Sequence, residues 1–170
     1  MPVGAAEKRQ LSLDSNVLID LANEEPFAIQ FRLNFQRNGY SLRVAPRVLA
    51  ELHYGYKTGG DDLRRSCEIA LRSLLNWNIV PFTLDDLKKA WTKNFLNIAE
   101  ERRLFPPLEK SDAIIVAETA VEGIPILVTS DRFLLRVHAD DLSVALADAG
   151  LHGVQIMSAR KLGASRQSRR

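Results

Sequence analysis

Cysteine is almost absent from this sequence. Cys67 is the only one in 170 residues, which excludes an internal disulfide and any cysteine-built zinc site, and makes a cytoplasmic setting the simplest expectation. Long apolar runs are also missing. None approaches the roughly 20 residues of a membrane span, and the opening "MPVGAAEKRQ" lacks the apolar core of a signal peptide. No membrane partner is therefore expected. There is no Gly-rich phosphate loop and no G-x-G-x-x-G stretch, so nucleotide-cofactor chemistry has no signature. The three histidines, His53, His138 and His152, lack metal-ligand spacing. Acid is missing from the final stretch "SARKLGASRQSRR", which carries Arg160, Lys161, Arg166, Arg169 and Arg170. The whole chain sums to only +2, so everything before that stretch is net acidic.

What remains is the composition of a soluble globular domain, 46% hydrophobic and 26% charged. The length fits one domain, which buries roughly 70% of the surface its unfolded chain exposes. Residues 10–157 carry the patterned part. Residues 158–170 read as a basic, disordered tail, which could hold RNA or an acidic partner or simply be solvated.

Strand-like and helix-like runs alternate. "LSL" (11–13), "SLRVA" (41–45), "NIVPF" (78–82), "PILVTS" (125–130) and "GVQIM" (153–157) read as strands. Between them, 15–22, 26–37, 46–56 and 61–76 read as helices, with Phe27, Phe31 and Phe35 forming one stripe. A longer helix runs from a cap at Thr83 to about residue 103. Ser111 is expected to cap "DAIIVAETAVE", which Gly123 stops. Short helices follow Asp131 and span about 140–149. Trp77 and Trp91 are expected in the core. This alternation implies crossover connections and an α/β fold with a mostly parallel central sheet and helices on both faces. Its functional crevice should lie beyond the carboxyl ends of the strands.

That rule makes "QLSLDSNVLIDL" informative. Asp14 follows an apolar strand directly, where a carboxylate buries badly. Asp131 likewise follows "ILVTS". Asp112 stands in the first turn of a helix, and Glu51 lies on the helix after the second strand, in "APRVLAELHYG". Each has an ordinary explanation: a helix cap for Asp14, a dipole-complementing acid for Asp112, a turn residue for Asp131, a solvent-facing acid for Glu51. Brought together in an apolar setting, four acids would repel one another, and a divalent cation would remove that repulsion. Carboxylate and water ligation suits Mg²⁺ or Mn²⁺, and such ions serve phosphodiester hydrolysis. Glu118 and Asp20 are set aside, and Thr119 is read as packing.

"LDSNVLID", "VLAEL", "KSDAIIVAETA" and "GIPILVTSDRFL" resemble, in order and spacing, the four signature blocks of the PIN domain family, most nearly its VapC-type toxin ribonucleases. The likeness spans about 11–157. It implies a three-layer α/β/α sandwich, metal-dependent cleavage of RNA, and a metal site of Asp14, Glu51, Asp112 and Asp131. Asn16 and Thr129 match positions that support such a site by hydrogen bonding. The resemblance also implies the role of toxin in a type II toxin–antitoxin pair, a small DNA-binding antitoxin as partner, and a homodimer. Three features depart from the pattern. "SDRFLL" has no second Asp, the stretch 88–107 is long, and the basic tail is extra. Arg47, Lys110, Arg132 and Arg136 lie beside the acids in sequence and either contact RNA phosphates or balance charge. Two other readings remain: a non-catalytic PIN-like module that binds RNA or protein, and a housekeeping RNA-processing nuclease of the same fold.

Overall fold

Leu11, Ser12 and Leu13 are all buried, so both faces of their strand are covered. In the computed structural model, which describes residues 9–164, that strand is the middle one of five. The strands are β1 (Gln10–Leu13), β2 (Ser41–Val44), β3 (Ile79–Pro81), β4 (Ile126–Thr129) and β5 (Gln155–Ser158). Their spatial order is β3-β2-β1-β4-β5, and every neighbouring pair is parallel. Leu11 pairs with Leu42, and Leu13 with Val128. Successive connections from β1 step to one side as far as β3, and the chain then crosses to β4 on the other side of β1. The sheet thus has its switch point between β1 and β4, where a parallel sheet opens a crevice at the carboxyl ends of its strands.

The helices are α1 (Ser15–Ala22), α2 (Pro26–Arg37), α3 (Pro46–Thr58), α4 (Asp61–Ser73), α5 (Asp86–Glu101), α6 (Lys110–Val121), α7 (Arg132–Leu135), α8 (Ala139–Asp148) and α9 (Ala159–Ala164). Proline opens α2 and α3, where its missing N–H leaves no bond unmade. Gly123, at φ +76°, supplies the left-handed residue that ends α6. One packed group holds α1 to α4 with α9, and another holds α5, α6 and α8. Right-handed crossovers put the two groups on opposite faces of the sheet. They meet where α3 touches α6. The result is an α/β/α arrangement around an all-parallel sheet, as the alternation predicts. Among the described residues, no helix is long and apolar enough to cross a membrane.

The core is aliphatic, with Phe31 and Phe95 as its largest fully buried members. Phe31 and Phe35 pack with ring centroids 4.8 Å apart, and Phe27 lies half-buried at the end of the same stripe. Gly55 of α3 permits close approach to α4: a Cβ there would sit 2.7 Å from Cys67 Sγ.

Several sequence expectations change. The start of the expected tail is structured: Ser158 ends β5, and 159–164 form α9 against α2. Ala159 is fully buried, and the Arg160 guanidinium lies 4.0 Å from the Phe27 ring centroid, so a cation–π contact and core burial anchor this segment despite its basic composition. Residues 165–170 of that tail lie outside the described residues. The cap of α5 is Asp85, which accepts from the Lys88 N–H at 2.8 Å, rather than Thr83. Trp91 is 46% exposed, because α5 turns Phe95 rather than Trp91 into the core. Ser111 lies inside α6 and caps nothing, since its hydroxyl has partners across the fold.

Candidate active site

Asp14 is the last residue before β1 gives way to α1, and its backbone is extended (φ −74°, ψ 158°). Its N–H still bonds Val128 O at 2.9 Å, which fixes it to β4 across the switch point. Its side chain is buried, where an unpartnered carboxylate would be strongly disfavoured. Oδ1 accepts from the Ser15 N–H at 2.7 Å, so the capping role is real. Oδ2 accepts from the Thr129 hydroxyl at 2.7 Å and from the Asn16 amide at 3.4 Å. These donors do not offset burial. The Asp14 carboxyl is pushed up from 3.8 to about 6, chiefly by loss of water and further by the charges of Glu51 and Asp131.

Thr129 ties two of the predicted acids together. Its Oγ1 accepts from the Asp131 N–H at 2.9 Å, which leaves its own proton for Asp14. Asp131 in turn caps α7, accepting from the Phe133 N–H at 2.7 Å. Both supporting residues read from the sequence, Asn16 and Thr129, therefore touch Asp14.

Asp112 sits in the first turn of α6 and is buried. Its Oδ2 has no hydrogen-bond partner. The Glu109 carboxyl lies within bonding reach, and two carboxylates can bond only by sharing a proton. Burial first, then Glu109, Asp14 and Asp131, push the Asp112 carboxyl up to about 8. Oxygens of Glu109, Asp112 and Asp131 all lie within 4.8 Å of one another, close enough to share a cation. Asp14 borders this trio electrostatically but is not part of it.

Glu51 reaches the site from α3 by a different route. Its Oε2 accepts from the Ser15 hydroxyl at 2.6 Å, and its Oε1 from the Ser111 hydroxyl. Ser111 itself accepts from Arg47 Nε at 2.7 Å. The Arg47 N–H donates to Glu118 Oε2 at 2.8 Å. Burial pushes the Glu118 carboxyl up, and Arg47 draws it partly back. Arg47 is therefore engaged within the fold, through Ser111 and Glu118. Lys110, Arg132 and Arg136 are exposed.

Sequence reasoning missed Glu109 and the links made by Glu118. Glu109 had a usable signal, since it stands three residues before Asp112 and so on the same side of the helix start. Glu118 had none, because its partner is a backbone N–H on another helix. Thr119, read as packing, is fully buried and donates to Ser12 Oγ at 3.1 Å.

The chain is thus an α/β protein whose five-stranded parallel sheet gathers acids at its switch point. The sequence profile of the PIN domain matches residues 11–139, and the chain belongs to that family. No curated protein sequence matches it. Solved structures similar in fold include the following three. VapBC2 from Rickettsia felis, bound to a DNA fragment from their promoter, has TM-score 0.59 and 18% identity, covering 75% of this chain and 92% of that one. VapBC-1 from nontypeable Haemophilus influenzae has TM-score 0.58 and 15% identity, covering 88% and 98%. DNA-bound VapBC from Salmonella typhimurium has TM-score 0.58 and 18% identity, covering 89% and 98%.

Proposed function

We propose that this chain is a divalent-metal-dependent endoribonuclease and the toxin of a type II toxin–antitoxin pair. The observation that carries the nuclease reading is Asp112 Oδ2, buried without a donor, beside Glu109, Asp131 and Asp14. Only a proton or a cation relieves that crowding. The donor set is carboxylate oxygen alone, which suits Mg²⁺ or Mn²⁺. Glu109, Asp112 and Asp131, whose oxygens lie within 4.8 Å of one another, would hold the ion, with Asp14 completing the set at its border and Glu51 behind Asp14. When bound, it would supply a polarised phosphate and a more acidic water.

The chain's own residues orient this set. The Thr129 hydroxyl fixes the rotamer of Asp14, and Asn16 adds a second donor on the same oxygen. Ser15 and Ser111 hold Glu51 from both sides. Lys110, Arg132 and Arg136 offer exposed cations for phosphates around the acids, and single-stranded RNA presents such phosphates with splayed bases. The fold shared with VapBC proteins supports a small DNA-binding antitoxin as partner, covering the groove with its carboxyl-terminal segment. A homodimer and a cytoplasmic setting belong to the same reading.

The test is purified wild type against Asp112→Asn on structured RNA, with Mg²⁺, with Mn²⁺ and with EDTA. Cleavage by wild type that disappears with chelator and with the substitution is expected. Equal cleavage by both proteins, or cleavage that persists in EDTA, refutes the metal site. A chain that is inert on every RNA but retains Mn²⁺ points to a binding module instead.

A further inference from the structure

An open cleft of about 760 Å³ lies beside the acids, between the end of α5, the loop before α6, and α7. Such volumes are typical of small-ligand sites. Its walls are largely apolar, with Leu96, Leu104, Phe105, Ile114 and Phe133 among them. The charged groups lining it are unbalanced: Arg103, Lys110 and Arg136 against Glu100 alone.

Two lining residues join the cleft to the acid cluster. Lys110 opens the helix that carries Asp112, and the Phe133 N–H bonds Asp131 Oδ1. A strand whose phosphate lies at the acids and which runs toward α7 places a neighbouring nucleotide at the cleft. Phe133 is 54% exposed, an aromatic face left uncovered at that point. An exposed ring flanked by cations is how proteins hold single-stranded nucleic acid: bases stack on the ring and phosphates meet the charges. A purely apolar protein segment would leave the three cations without a purpose.

We propose that this cleft takes one unstacked nucleobase of the RNA, stacked on Phe133, with Lys110 and Arg136 on the flanking phosphates. The proposal rests on the ribonuclease reading and adds a residue that holds one base in place beside the cut. Phe105 forms part of the apolar wall, and Arg103 is the third cation of the lining. Phe133 binds and positions; it takes no part in proton transfer.

The experiment uses the full chain carrying Asp112→Asn, so that bound RNA persists. The probe is a short single-stranded oligoribonucleotide with one base at a time removed as an abasic site. Stacking predicts one position where base removal costs affinity, and Phe133→Ala should cost roughly 5- to 150-fold there. The two losses should overlap rather than multiply, and Phe133→Trp should restore binding. Circular dichroism and Tm should not change, because the ring is exposed and the capping N–H is retained. Affinity unmoved by Phe133→Ala, as expected if the cleft houses a protein segment, overturns the proposal. So do losses that multiply. If wild type cuts RNA but Phe133 shows no coupling, stacking alone fails. If no RNA is bound or cut, the nuclease reading fails with it.

Discussion

Removing one negative charge should make the metal-free protein more stable at alkaline pH and less stable at acid pH. The charge is that of Asp14. Its carboxyl is held at about 6 in the fold against 3.8 ordinarily, mainly by burial. The folded protein therefore binds this proton more tightly than the unfolded chain does. Stability falls as pH rises from about 4, and the loss is complete above about 6. The interval corresponds to about 3 kcal/mol of destabilisation by the ionised form. Asp112, pushed up to about 8, extends the decline toward pH 8.

Asp14→Asn cannot titrate. The amide keeps one oxygen and so loses one of the two acceptor roles served by Oδ1 and Oδ2, at a cost of about 1 kcal/mol. The variant should be about 1 kcal/mol less stable than wild type near pH 4 and about 2 kcal/mol more stable near pH 8. Urea unfolding in EDTA, followed by tryptophan fluorescence at both pH values, measures the two differences. Saturating Mn²⁺ should then reverse the order at pH 8, because a ligand at 100 times its Kd adds about 2.7 kcal/mol to the protein that binds it. The reasoning fails if Asp14→Asn is destabilised by the same margin at both pH values, since the carboxyl would then carry no burial penalty.

Thr129→Val removes the only hydroxyl between Asp14 and the Asp131 N–H. It should lower stability by about 1–3 kcal/mol and suppress cleavage, while Thr129→Ser should retain both; equal cleavage by the two variants would refute the orienting role. Gly55→Ala places a methyl 2.7 Å from Cys67 Sγ. Overpacking should destabilise it by about 1–3 kcal/mol despite the better helix propensity of alanine, and adding Cys67→Ala should restore most of the loss. Thermal melts of the two single variants and the double variant decide this.

The parallel fold was readable because its signals are local. A Val/Leu/Ile run bounded by turn residues identifies β4, and proline at the first turn identifies α2 and α3. Asp14 and Asp131 were readable for a related reason: an acid directly after an apolar strand has only a few places to go. Caps were less readable. A hydroxyl near a helix start can serve the helix or reach across the fold, and only the fold decides. Ser111 reached across to Glu51 and Arg47, so the helix began at Lys110 behind Glu109 instead.

The same limit explains the residues that sequence reasoning left out. Glu118 lies on α6 and bonds the first turn of α3, a contact separated by 71 residues. No periodicity encodes it. Its effect is nonetheless local to the acids: it anchors the start of the helix that carries Glu51, through the N–H of a residue whose guanidinium also holds Ser111. The acid cluster is thus braced twice at its α3 corner and once at Thr129. Asp112 Oδ2, by contrast, is buried with no hydrogen-bond partner. On the proposed metal reading, the group left unsatisfied is the one a cation would approach, and the groups already satisfied are those that would hold still when it does.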